Sequence, residues 1–196
     1  MPMKTAQRAL DELLAGNLRF AAGQPQSRPN IDRIRPLAAG QAPFATVLAC
    51  ADSRVPVETL FDHDPGDIFV VRLAGNFMSE AALASIEYAV EVLHCPLVMV
   101  LGHTQCGAVR AAVDFVQSGK TFPGHIQLFA EAIAPAARVA KNAAGDWWHN
   151  AVIENARYYA ERLRNAEPIL RQAAAEKRAM IVGAVYDLAT GKVTLV

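Results

Sequence analysis

The chain has no excess of charge of either sign. Its 196 residues carry 19 basic and 19 acidic side chains, and no basic run stands out. Nucleic acid leaves a basic footprint on the proteins that bind it, so that class of partner is excluded. A neutral balance likewise gives no attraction to an anionic membrane surface. No uninterrupted apolar stretch reaches the roughly 20 residues needed to cross a bilayer. The N-terminal residues 1–8 carry charge with no continuous apolar segment after them and do not read as a secretory signal. The expectation is a soluble, cytoplasmic protein. Cysteine is scarce and odd in number, three in all, which argues against a disulfide scaffold. In a reducing compartment such thiols serve metal binding, catalysis or packing. Internal repeats, low-complexity tracts and interdomain linkers are missing as well, and 53% hydrophobic content supplies the core of one domain.

What is present is an alternation of helical and strand patterns. Leu10, Leu13, Leu14, Leu18 and Ala21 recur at helical spacing and predict an amphipathic N-terminal helix. That helix either wraps a partner subunit or packs on its own domain. Residues 23–29 form a turn-rich break, and residues 31–39 a short helix. Strands are expected over 44–49 and 68–73, joined by a connection around 56–61. Ser79 can cap a helix over 81–93, with Glu80 in its favourable first turn. A strand over 97–101 and a helix opening at 106–109 follow. Helices interleaved with strands imply a mostly parallel sheet with right-handed crossovers. Beyond Gly124 the pattern is helical in pieces, interrupted at Pro135, Gly145 and Pro168. A buried strand over 180–185 and a turn at 187–192 lead to an antiparallel edge strand. The fold class is therefore α/β in a single domain, with residues 1–40 a helical arm and 41–196 the core.

Chemistry concentrates at two strand ends. Cys50 follows the apolar run 44–49, and His103 and Cys106 follow the run 97–102. In an open parallel sheet, ligands bind beyond the carboxyl ends of the strands. Thiolate and imidazole are zinc ligands, and three of them leave a fourth position open for chemistry. Cys106 at a helix start ionises more readily. Cys95, beside Pro96, reads as an apolar filler. Asp52 and Arg54, two residues apart in an extended loop, can pair on one side. Alternatively, Asp52 can swing onto the metal as a fourth ligand.

Cys50-Ala51-Asp52-Ser53-Arg54-Val55 and His103-Thr104-Gln105-Cys106-Gly107 resemble the two signature motifs of the β-class carbonic anhydrases. The resemblance extends to residues 66–72, 86–90 and 183–187, and so covers roughly 41–191. It implies one Zn²⁺ per chain on Cys50, His103 and Cys106. It also implies reversible hydration of carbon dioxide to bicarbonate by zinc-bound hydroxide. Asp52 and Arg54 match the catalytic dyad: Arg54 holds Asp52 off the metal in an open state, and Asp52 becomes a fourth ligand in a closed one. Gln41, Phe69 and Tyr88 match substrate-binding positions that the family builds across a dimer interface, which implies a homodimer or a dimer-based tetramer.

Two positions depart from the family pattern. Ala74 stands where many members carry valine. Val47 stands where one branch carries the tryptophan of an inhibitory bicarbonate pocket, which leaves Arg72 and Tyr186 as structural or interface groups. Competing readings are a carbonyl sulfide or carbon disulfide hydrolase with the same motifs, and a non-catalytic zinc-binding protein. Hydration releases a proton, and among His63, His94, His125 and His149 the sequence singles out no carrier.

Overall fold

Two short, mostly apolar segments become the fully buried centre of the sheet, as expected of parallel strands covered on both faces. They are β1 (Ala45–Ala49) and β3 (Leu97–His103). The computed structural model describes residues 4–196; the first three residues of the stretch read as carrying no signal lie outside it. In chain order the elements are α1 (Ala6–Ala21), α2 (Ile31–Ile34), a 3-10 turn (Arg35–Ala39), β1, α3 (Val57–Leu60), β2 (Ile68–Arg72), α4 (Glu80–Glu91), β3, α5 (Gly107–Ser118), α6 (Ile126–Ala140), α7 (Trp147–Arg164), α8 (Ile169–Ala175), β4 (Met180–Tyr186) and β5 (Val193–Leu195). The strand order is β2-β1-β3-β4-β5, with β5 alone antiparallel. None of the described helices is long and apolar enough to cross a membrane.

Side chains alternate across the two central strands and feed two cores. Leu48, Val98 and Val100 join the layer that packs beneath α4, α5, α6, α7 and α8. Val47, Ala49, Met99 and Leu101 face the smaller layer with α1 and α3. β1 pairs with β2 on one side and β3 on the other, so the chain reverses its direction of travel there. The crevice beyond the carboxyl ends of β1 and β3 is the topological switch point of the sheet.

Helix α1 packs on its own domain, but not through the whole predicted stripe. Ala9, Leu10, Leu13, Gly16 and Asn17 are buried, while Leu18 is 63% exposed. Two polar features set this rotation. A Cβ at Gly16 would lie 1.8 Å from the Phe61 carbonyl oxygen, so only glycine permits the approach. Asn17 donates to the Leu60 and Gly191 carbonyls and accepts from the Val193 N–H, at 2.8–3.0 Å. A count of apolar residues reads Asn17 as solvent-facing and so turns the helix too far.

The chain leaving α1 is strapped down by the buried carboxylate of Asp62. One oxygen accepts the Gln26 and Ser27 backbone N–H groups at 2.7 Å each, and the other accepts Arg19 Nε at 2.5 Å. The short helix expected over 31–39 is one α-turn continued as a 3-10 turn.

Pro135 is a second correction: it lies inside a continuous α6 rather than interrupting it. An internal proline forfeits one backbone hydrogen bond and costs about 3 kcal/mol. Here Ala130, Ile133, Ala134, Ala136, Ala137 and Ala140 are buried around it. That small-residue face packs closely on α5 and α7, and the packing offsets the loss.

Candidate metal centre

Cys50 is the first residue past β1, and His103 is the last residue of β3. After His103 the chain turns through Gln105 in the left-handed region (φ 62°), which brings Cys106 back as the N-cap of α5. The three side chains converge: one ligand atom from each lies within 4.8 Å of the others, and all three residues are buried. The two sulfurs are 3.9 Å apart. A tetrahedral ion with metal–sulfur bonds of about 2.3 Å places two thiolates about 3.8 Å apart.

The imidazole of His103 supplies a sharper test of fit. Its Nδ1 lies 2.9 Å from the Thr104 carbonyl oxygen and donates to it. That hydrogen bond fixes the tautomer and leaves Nε2 as a lone pair. Nε2 is buried and has no hydrogen-bond partner among the described residues. A buried acceptor without a partner costs about 1–3 kcal/mol. A cation in the cluster would satisfy it, so the donor set and its geometry fit a zinc-type ion.

The sulfurs are tuned in opposite directions. The Cys50 thiol is lowered to about 4, chiefly because the Cys106 thiol donates to it, with help from the Gly75 N–H at 3.3 Å. Cys106 is pushed well up by the Cys50 thiolate beside it and by burial. Two sulfurs this close carry charge together only with a cation between them. Cys95 lies apart from the cluster, buried, its thiol donating to the Pro43 carbonyl at 3.0 Å.

Asp52 and Arg54 form a two-pronged ion pair. Arg54 donates Nε to Oδ1 at 2.9 Å and Nη2 to Oδ2 at 2.8 Å, and its backbone N–H adds a third bond to Oδ1 at 2.9 Å. The side-chain bonds from Arg54 come first among the causes holding the Asp52 carboxyl far below the usual carboxylate range. Asp52 Oδ2 is also 3.8 Å from His103 Nε2, so the carboxylate sits at the edge of the ligand cluster while still held by Arg54.

Several further groups support the cluster. Arg72 clamps the loop between Cys50 and Asp52, donating Nε to the Cys50 carbonyl at 3.0 Å and Nη2 to the Asp52 carbonyl at 2.6 Å. This is a structural role, as expected for Arg72 without the tryptophan pocket. Gly75 adopts φ 85°, and a Cβ there would lie 2.4 Å from Ile133 Cδ1. Its carbonyl accepts from the buried Asn155 Nδ2 at 2.9 Å. Trp148 Nε1 donates to the Cys106 carbonyl at 3.0 Å, tying α7 to the ligand turn. Position 75 could have been suspected from its glycine; Asn155, 80 residues away, could not.

The substrate positions are less gathered. Phe69 on β2 and Tyr88 on α4 contact each other, with ring centroids 6.2 Å apart, and Tyr88 is 47% exposed. Gln41 is exposed in the segment before β1. Within one chain these three are not part of the buried ligand cluster.

Known proteins are similar to this chain in sequence and fold. The family profile described as carbonic anhydrase matches residues 45–193. The carbonic anhydrase of Mycolicibacterium smegmatis is 38% identical over 196 residues, covering 100% of this chain and 95% of that protein. Carbonic anhydrase 2 of Mycobacterium tuberculosis is 47% identical over 136 residues, covering 69% of this chain and 66% of that one. A solved structure described among two tetrameric β-carbonic anhydrases from the ascomycete Sordaria macrospora superposes with a TM-score of 0.75 at 26% identity. It covers 97% of this chain and 95% of that one. With the ligand cluster and both motifs inside the matched span, the chain belongs to the β-class carbonic anhydrase family.

Proposed function

We propose that the protein catalyses the reversible hydration of carbon dioxide to bicarbonate and a proton, with one Zn²⁺ per chain held by Cys50, His103 and Cys106. The observation that carries this reading is the convergence of the three ligand atoms around an unpartnered His103 Nε2, beside the Asp52–Arg54 pair. When bound, zinc lowers the pKa of water at its open position from 15.7 towards about 7, which makes hydroxide available at neutral pH.

The remaining work falls to the chain. Arg54 fixes both carboxylate oxygens of Asp52 and so holds it off the fourth position. Asp52, ionised and able only to accept, orients the nucleophile by taking its hydrogen bond. Released from Arg54, Asp52 could serve as a fourth ligand for a bound ion, since Oδ2 is 3.8 Å from His103 Nε2. Phe69 and Tyr88 supply an apolar wall for carbon dioxide, and Gln41 positions it. Those three act with a second subunit, which would cover the half-exposed Tyr88 and the open edge of the sheet at β2. The tetrameric state of the Sordaria relative supports a dimer-based assembly. Unpaired thiols in the cluster suit a reducing compartment such as the cytoplasm.

Metal analysis and stopped-flow hydration test the reading. Zinc at one per chain with carbon dioxide hydration supports it; a zinc-loaded protein inactive at both neutral and alkaline pH refutes it. Relative kcat/KM on carbon dioxide, carbonyl sulfide and carbon disulfide fixes the substrate.

A further inference from the structure

The hydration proposed above releases one proton for every bicarbonate formed, and that proton must reach a buffer base before the next turnover. Of the five histidines, His103 belongs to the ligand cluster. His63 is packed against Asp67, its side chain 9% exposed. His149 is placed differently. A cavity of about 560 Å³ opens beside the dyad, lined by Arg54, Gln105, Asp146, Trp148, His149 and Asp187, among others. It is the cavity into which Arg54 itself faces, and His149 is the histidine on its wall.

Its surroundings suit a proton carrier. His149 lies in the first turn of α7, where its backbone N–H donates to the N-cap Asp146 at 2.6 Å. Trp148, the preceding residue, anchors the same turn to the Cys106 carbonyl. The backbone that carries the imidazole is therefore held at a fixed place relative to the ligand turn, and the side chain is exposed to solvent. The charged groups about it are Asp146 on its own helix, Asp187 after β4, Arg54 from the loop after β1, and Arg110, whose guanidinium lies 5.5 Å from the Trp148 ring centroid. Arg54 is already neutralised by Asp52, and Arg110 is paired with Asp114. The carboxylates of Asp146 and Asp187 stand on the same side of the cavity. Asp187 is itself held low, first by the Thr190 backbone N–H, and it feels the charge of His149. At about 30 Å³ per molecule the cavity of about 560 Å³ holds on the order of twenty waters, enough for a hydrogen-bonded path.

We propose that His149 is the proton-relay side chain of this reaction, taking the proton through cavity water on the Asp52–Arg54 side and passing it to buffer. The balance is simple: carbon dioxide and water give bicarbonate and a proton, the imidazole base binds the proton, and a buffer base removes it. In the dehydration direction the same groups run in reverse.

The test compares zinc-loaded wild type, His149→Ala and His125→Ala in dilute and concentrated imidazole buffer. Loss of the relay lowers kcat in dilute buffer by about tenfold, leaves kcat/KM for carbon dioxide within about twofold, and is rescued by imidazole. His125→Ala leaves kcat unchanged. A readout independent of turnover is the Arg54 Nε–H resonance of the zinc-loaded protein. It follows the titration of the His149 ring in wild type and loses that component in His149→Ala. Unchanged kcat in His149→Ala, an equal fall in kcat and kcat/KM, or an Arg54 resonance blind to His149 each overturns the relay while the hydration reading stands. An inactive wild type overturns the hydration reading and the relay with it.

Discussion

Replacing Asn155 by alanine should weaken metal binding from a distance. Asn155 is fully buried and touches no ligand; its Nδ2 donates to the Gly75 carbonyl, and the Gly75 N–H in turn points at Cys50 Sγ. Gly75 is held in a left-handed conformation between Ile133 and Ala108, so its peptide has little freedom except through this anchor. Removing the amide leaves the Gly75 carbonyl buried without its donor, which costs about 1–3 kcal/mol of folding stability. The truncated side chain leaves a small cavity that adds to that loss. The loosened Gly75 N–H then stabilises the Cys50 thiolate less well. Outer-shell changes of this type lower metal affinity about 10–100-fold, or about 1.4–2.8 kcal/mol.

Two measurements separate the parts. Urea unfolding of the metal-free protein gives the stability loss, and competition with a chromophoric chelator gives the zinc affinity. Asn165→Ala, an exposed change at the C-cap of the same helix, removes only bonds to Glu161, should cost about 1 kcal/mol or less and leave zinc affinity alone. If Asn155→Ala is destabilised but binds zinc as tightly as wild type, the link through Gly75 to Cys50 is wrong.

Other substitutions probe separate parts of the molecule. Cys50→Ser should lose zinc and hydration together, whereas Asp52→Ala should keep zinc and lose hydration; full activity in Asp52→Ala contradicts the orienting role. Arg54→Met frees Asp52 to close the fourth position, so the cobalt-substituted protein should lose its spectral response to added anions while retaining metal. Asp62→Asn keeps the turn but sets an amide N–H against Arg19, and should cost about 2 kcal/mol at neutral pH by denaturant unfolding. The pH dependence has a definite sign. Burial raises the Asp62 carboxyl, but the N–H groups of Ser27, Arg19 and Gln26 outweigh it and leave it below its ordinary value. Its contribution is therefore complete above the unfolded value of about 3.9 and fades as pH falls through the native one. The stability gap between wild type and Asp62→Asn should narrow below about pH 4; a gap that widens on acidification refutes the assignment.

The parallel sheet was legible because its strands are continuous apolar runs and its helices are periodic, two signals that do not depend on neighbours. The ligand cluster was legible for a related reason: thiol and imidazole are rare, and their position at strand ends follows from the alternation of elements. Errors fell where a polar group is buried or a breaker is overruled. Leu18 belongs to the expected stripe but is exposed, because Asn17 takes the buried place through three hydrogen bonds, and Pro135 counts as a break until the alanine face around it is packed.

The groups that tune the centre were illegible for a deeper reason. Thr104 fixes the His103 tautomer through a backbone carbonyl, and Gly75 supports Cys50 through a backbone N–H. Every residue but proline has these groups, so residue identity carries no trace of their use. The sequence can name the atoms that would bind a metal, but the atoms that make one sulfur a thiolate and one imidazole nitrogen a lone pair come from chain direction alone. A design that copied only Cys50, Asp52, Arg54, His103 and Cys106 onto another sheet would therefore lack the Gly75 N–H and the Thr104 carbonyl. It should bind zinc more weakly than this protein unless its backbone supplied the same two groups.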